Sequence, residues 1–217
     1  MLIFIDSADV KEIEEFASIG IIDGVTTNPS LMAKTGKDFY IVAKDICATV
    51  AGPVSLEVSG TSYKDMLIEG EKILSIAKNV VLKLPMTWDG IKACKHFSNL
   101  KHSVNMTLCF SSSQGLMAAK AGATYVSPFI GRIDDTGQDG LELISDIHAI
   151  FSNYPELNTQ ILAASIRNTY HFYQSALIGV HVATLPGKLI KQLLDHPLTE
   201  KGIEIFSSDW KKSGLKI

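Results

Sequence analysis

The sequence predicts a single-domain (β/α)8 TIM barrel with an additional C-terminal helix, and three observations carry that expectation. Short β-rich runs recur at 2–6, 24–28, 53–58, 80–85, 103–108, 124–129, 159–164 and 181–186. The segments between them have helical periodicity, and such alternation specifies a parallel sheet. Eight strands suit closure into a barrel. An open doubly wound sheet is the rival, but the first strand-to-helix turn carries no GxGxxG fingerprint. At 217 residues the chain is near the low end for a barrel, with little room for insertions.

Taken in order, "LIFID" opens the sheet and "SADVKEIEEFASIG" follows as a helix with Val10, Ile13 and Phe16 on one face. "GVTTN" and "PVSLEV" are the second and third strands. "TSYKDMLIEGEKILSIAKN" sets Met66, Ile73, Leu74 and Ile76 among charges, as a helix half in water does. "VVLKLP" is apolar on both faces apart from Lys83, the pattern of a strand buried in a parallel sheet. "SVNMTL", "TYVSPF", "TQILAA" and "HVATLP" complete the strands, with helical "SSSQGLMAAKAGA" and "DGLELISDIHAIFSN" between some of them. Ser7, Thr61, Ser111 and Asp139 stand where helix caps are expected. The tail holds two helical stretches broken at "DHPLT". The second, about 199–217, is one more than a minimal barrel needs and is expected to cap the barrel or reach a neighbouring subunit. No linker divides the chain, so 1–217 reads as one domain.

Composition narrows the function classes. A hydrophobic content of 46% with 20% charged residues is ordinary for a globular domain, and a net charge of −3 leaves no basic footprint for nucleic acid. Cys47, Cys94 and Cys109 form no CxxC or Cys/His spacing, which reads as reduced packing thiols in a cytoplasmic protein. The N-terminal apolar stretch ends at Asp6 without a basic leader, and no stretch is long enough to span a bilayer, so no membrane partner is expected. The histidines share no spacing, and "RIDDTGQDG" lacks the EF-hand pattern, so no metal is expected.

The chemistry converges on the C-terminal strand ends, where barrels of this kind carry their sites. Strand one ends at Asp6, strand two at Thr26, Thr27 and Asn28, and strand three carries Glu57. Lys83 lies on strand four, Asn105 and Thr107 on strand five, and Ser127 on strand six. Arg132 follows strand six, while Ser165 and Arg167 follow strand seven. Seven of eight strands thus deliver a polar group near one end. Val81, Lys83 and Pro85 share a face, so Lys83 can point inward while Leu82 and Leu84 pack against helices. Burial there favours a neutral, nucleophilic amine of the kind that forms Schiff bases. Asp6 and Glu57 are the acid/base candidates, and Arg132, Ser165 and Arg167 suit a phosphate clamp. Plainer readings exist for each: a buried ion pair for Lys83, a helix cap for Asp6, a turn for Asn28 before Pro29.

At these residues the sequence resembles the transaldolase family, specifically its short members, which include the fructose-6-phosphate aldolases. The resemblance runs through "FIDSAD", "GVTTNPSL", "VVLKLP", "VNMTLCFS", "YVSPFIGRIDD", "ILAASIR" and "HPLTEKGIEIFSSDW". It implies a class I aldol mechanism without metal or organic cofactor. Lys83 would be the Schiff-base lysine, Asp6 the acid/base at the C4 hydroxyl, and Glu57 with Thr107 the holders of a catalytic water. Asn28 and Asn105 would orient a dihydroxyacetone unit near Thr26 and Ser127, with Arg132, Ser165 and Arg167 on the phosphate. The implied reaction moves dihydroxyacetone from a ketose phosphate, sedoheptulose 7-phosphate or fructose 6-phosphate, to glyceraldehyde 3-phosphate or erythrose 4-phosphate. The aldolase branch has glutamine where this chain has Glu57 and tyrosine where it has Phe129, so both positions point to transaldolase. Release of free dihydroxyacetone by an aldolase is the alternative, and a non-catalytic sugar-phosphate-binding barrel a more distant one. Family resemblance also implies a homo-oligomer, a decamer or pentamer.

Overall fold

Strands that are apolar on both faces can be satisfied only between two layers, and the chain builds those layers by closing its sheet on itself. The computed structural model describes residues 1–216. The elements run β1 (Leu2–Asp6), α1 (Val10–Ile19), β2 (Gly24–Thr26), α2 (Pro29–Lys34), α3 (Phe39–Thr49), β3 (Val54–Glu57) and α4 (Tyr63–Leu74). Next come β4 (Val80–Pro85), α5 (Trp88–Asn99), β5 (Val104–Cys109), α6 (Ser112–Ala121), β6 (Tyr125–Pro128), α7 (Ile130–Asp134) and α8 (Gly140–Ser152). The last are β7 (Gln160–Ala163), α9 (Thr169–Ile178), β8 (Val182–Leu185), α10 (Gly187–Gln192) and α11 (Pro197–Ser213). Each strand pairs in parallel with the next, and β8 returns to β1, pairing Leu2 with Val182 and Phe4 with Thr184. The fold is a closed (β/α)8 barrel with an extra C-terminal helix, as expected.

Alternation along each strand sorts the core into two parts. Outward residues such as Ile5, Leu56, Leu82, Leu84 and Met106 are fully buried against the helices. Each such side chain stabilises the fold by about 1.5–3 kcal/mol. Inward residues Phe4, Val81, Tyr125, Leu162 and Val182 form a separate apolar cluster inside the barrel. Phe4 and Tyr125 meet edge to face there, with centroids 6.1 Å apart. This cluster is a floor. Two residues further along β1, β4, β6 and β8 the inward positions turn polar, at Asp6, Lys83, Ser127 and Thr184, while β7 continues with Ala164.

Several local details differ from the sequence expectation. The caps of α1 and α4 are Asp9 and Ser62, not Ser7 and Thr61, while Ser111 and Asp139 cap α6 and α8 as expected. Ser7 instead donates to Glu12 at 2.5 Å. The second strand stops at Thr26 because Asn28 is recruited as the cap of α2, accepting from the Leu31 amide at 3.0 Å. The final helix begins at Pro197, whose fixed φ suits a first helical position, and residue 217 of the anticipated extension lies outside the described residues. None of the described residues of α11 is buried. Among the described residues, no helix is long and apolar enough to cross a membrane.

Candidate active site

The site grows out of the register of three strands. Lys83 on β4 stands level with Glu57 on β3 and with Asn105 on β5. In parallel strands, level residues point to the same side of the sheet, so all three enter the barrel together. Lys83 is 5% exposed, and its ammonium meets a Glu57 carboxylate oxygen at 2.9 Å and donates to the Thr27 carbonyl at 2.7 Å. A buried cation needs such partners, because desolvation alone would make its charge costly. The lysine therefore has a definite ion-pair partner rather than a purely apolar cage.

Asp6 lies on the far side of the same layer. Thr26 donates to its Oδ1 at 2.8 Å and shares a 2.6 Å hydroxyl contact with Thr184. Burial pushes the Asp6 carboxyl above its ordinary value of 3.8, as does the Glu57 charge, while Lys83 and the Thr26 hydrogen bond act against the rise. A carboxyl held this way retains its proton to higher pH than a free one and suits acid/base work.

The other predicted residues divide cleanly by location. Asp6, Thr26, Asn28, Glu57, Lys83, Thr107, Ser127, Phe129, Arg132 and Ser165 all line one cavity of about 250 Å³. Asn105 sits beneath it, accepting from Ser127 at 2.7 Å and donating to Ser55 at 3.2 Å. The Thr107 hydroxyl has no hydrogen-bond partner among the described residues, although the residue is fully buried. Buried hydroxyls of that kind bond to water or to a ligand. Arg132 lies over the Phe129 ring, 4.8 Å from its centroid. Arg167 is the exception. Its guanidinium is forked onto Asp135 at the rim, with Nη2 2.6 Å from Oδ2, and it is not part of the cavity wall.

Sequence reasoning passed over some of the site. Thr184 gives β8 a polar inward group, so every strand contributes, not seven of eight. Its period-two spacing from Val182 carried that signal. Ser55, two residues before Glu57, was legible in the same way. Leu108 and Ser165, both in the cavity wall, have φ of 59° and 56°, a left-handed conformation that costs a non-glycine residue energy. At Leu108 the β5–β6 register slips between Met106 and Cys109, a bulge that follows Thr107 directly. Among the described residues no cluster of three or more His, Cys, Asp or Glu is arranged to hold a metal.

Fold and site together define a (β/α)8 barrel with a buried lysine–carboxylate pair in a polar cavity at the C-terminal ends of its strands. Comparison with known proteins narrows that class. Residues 3–217 match the family model described as transaldolase/fructose-6-phosphate aldolase. The chain is 54% identical over 217 residues to a probable transaldolase from Parvibaculum lavamentivorans (strain DS-1) and 55% identical to one from Brucella anthropi, covering all of both chains in each case. The chain therefore belongs to the transaldolase/fructose-6-phosphate aldolase family. Among solved structures, inosine 5′-monophosphate dehydrogenase from Legionella pneumophila resembles it with a TM-score of 0.60 at 14% identity. That match covers 87% of this chain and 58% of the dehydrogenase chain, a likeness of fold alone.

Proposed function

We propose that the protein is a transaldolase working through a Schiff base on Lys83, moving a dihydroxyacetone unit between sugar phosphates. The observation that carries this reading is the Lys83–Glu57 contact of 2.9 Å, buried yet opening on a cavity that also holds Asp6. In the proposed course, Glu57 takes a proton from the ammonium and the neutral amine attacks C2 of the ketose phosphate. Water leaves the carbinolamine to form an iminium. Asp6 then removes the C4 hydroxyl proton, the C3–C4 bond breaks, and its electrons pass into the iminium as an enamine. The aldose phosphate departs. C3 of the enamine next attacks an acceptor aldehyde, whose oxygen takes the proton from Asp6, and water frees the new ketose from Lys83. Thr107 and Glu57 hold that water, a role supported by the open Thr107 hydroxyl. Asn28 keeps its amide NH2 for the substrate because its oxygen is committed to the α2 cap.

Transaldolase is preferred over aldolase on Glu57 and Phe129. The Phe129 ring packs edge to face on Phe110 at 5.6 Å and lies beneath Arg132, offering no group to hold water beside the enamine. Arg132 and Ser165 line the phosphate end of the cavity, with Arg167 at its rim. Donors would be sedoheptulose 7-phosphate or fructose 6-phosphate, a pentose-phosphate-pathway step. Borohydride reduction with fructose 6-phosphate tests the mechanism: a covalent adduct at Lys83 is expected, and a chain left unmodified would end it.

A homo-oligomer and a cytoplasmic setting are part of the same proposal. Exposed Leu198, Ile203 and Phe206 on α11 support the first, and solution mass measures it. The second rests on three buried free thiols, of which burial pushes Cys94 and Cys109 up to about 12.

A further inference from the structure

The two arginines expected at the phosphate end are held differently. Arg132 has no ion-pair partner among the described residues and lines the cavity. Arg167 is bound through both terminal nitrogens to the carboxylate of Asp135, the residue that closes α7. Its stem crosses the backbone of that helix closely: a Cβ on Gly131 would stand 2.5 Å from the Arg167 Nε and 2.6 Å from its Cδ. Only glycine leaves that path open. The remaining charges nearby are engaged elsewhere, since Asp134 meets His171 at 3.2 Å and accepts from the Gly140 amide at 2.9 Å.

We propose that Asp135 is a specificity-determining residue, an internal anion that occupies Arg167 and must be displaced when the phosphate of a substrate binds. The inference rests on the phosphate-clamp reading above. A guanidinium fork that fits a carboxylate also fits a phosphate, so the two anions compete for one set of donors. The exchange is easy, because the side chains of Arg167 and Asp135 are 47% and 56% exposed and such pairs hold weakly in water. A dianion facing both Arg132 and Arg167 outbids a single carboxylate, whereas an uncharged group does not. Asp135 therefore holds down the affinity for phosphate, so that a bound phosphate is let go again, while an uncharged substrate is unaffected by it. The competing possibility is that Asp135 braces Arg167 in its binding position. The two predict opposite signs.

Inhibition by inorganic phosphate decides between them, measured on wild type, Asp135→Asn, Arg167→Ala and the double variant. Asp135→Asn is expected to strengthen phosphate inhibition about threefold to fivefold, the upper figure corresponding to about 1 kcal/mol. The ratio of kcat/KM for fructose 6-phosphate to that for unphosphorylated fructose should rise with it. Arg167→Ala should weaken phosphate inhibition and abolish the effect of Asp135→Asn in the double variant. Unchanged or weaker inhibition in Asp135→Asn, with Arg167→Ala still impaired, overturns the role of Asp135 and leaves the clamp standing. No effect of Arg167→Ala removes its place in the clamp and the competition with it.

Discussion

The Lys83–Glu57 and Arg167–Asp135 pairs lie at the same end of the barrel and differ in almost everything except charge. Lys83 and Glu57 are enclosed, their side chains 6% and 13% exposed, on adjacent strands whose register fixes them. Arg167 and Asp135 stand at the rim on two loops, about half in water. Removing one partner of a buried pair costs about 3–5 kcal/mol, because the other charge is stranded. Removing one partner of an exposed pair costs about 0–1 kcal/mol. The barrel thus puts its proposed chemistry where geometry is rigid and its proposed recognition where exchange is easy.

The largest effect expected from breaking this contrast comes from Lys83→Met. Activity should fall on the order of 10⁴-fold or more, since among the described residues no other lysine lines the cavity. Stability should fall too, with Glu57 left alone. Adding Glu57→Gln should recover much of the melting temperature without any recovery of activity. A double variant as unstable as the single one would mean that the pair does not behave as a buried ion pair.

Asp6→Asn sharpens the inner half of the comparison, with a fall in kcat of about 10²- to 10⁴-fold for a lost acid/base. Its pH behaviour is the stronger test. Because burial raises the folded value above 3.8, the native state holds this proton more tightly than the unfolded chain. The stability it contributes is fully present below 3.8 and is lost as pH rises through the folded value. Asp6→Asn removes that titration, so its stability relative to wild type should improve as pH rises. In wild type, the acid limb of kcat/KM should lie above 3.8. A melting-temperature difference that is flat with pH would count against the raised carboxyl.

The same contrast decides what could be read in the sequence. The inner layer was legible because strand periodicity is strict: once Lys83 faces inward, Glu57, Asn105 and Thr107 follow from spacing and register. Closure into eight strands followed from alternation alone. Thr184 was missed because "HVATLP" reads as an apolar strand, although the same spacing applied. The rim was not legible. A long arginine takes its partner from loops whose paths depend on packing, and nothing local in "SIRN" or "RIDD" pairs Arg167 with Asp135. The same is true of the bulge at Leu108, whose left-handed φ is imposed by pairing with β6. Asp9 displaced Ser7 as a cap because Ser7 found Glu12 instead, a choice made by geometry one turn later.

Phe129 stands between the two regions, its ring in the cavity wall and Arg132 above it, and substituting it should give the smallest effect of the series. Phe129→Tyr adds one hydroxyl without emptying the volume that Phe110 packs against. In the proposed cycle, an enamine that meets water or another proton donor before it meets an aldehyde is protonated and released as dihydroxyacetone. A phenol at this position could hold such a water, where a phenyl ring cannot. Release of free dihydroxyacetone from fructose 6-phosphate without acceptor should therefore rise severalfold, while transfer to erythrose or glyceraldehyde phosphate falls less. The two rates are separable in one coupled assay run with and without acceptor. Unchanged release would mean that water is excluded by something other than Phe129, and the preference for transfer would then rest on Glu57. A rise in release matched by an equal loss of phosphate affinity would instead point to a disturbed Arg132, tying this position to the rim rather than to the interior.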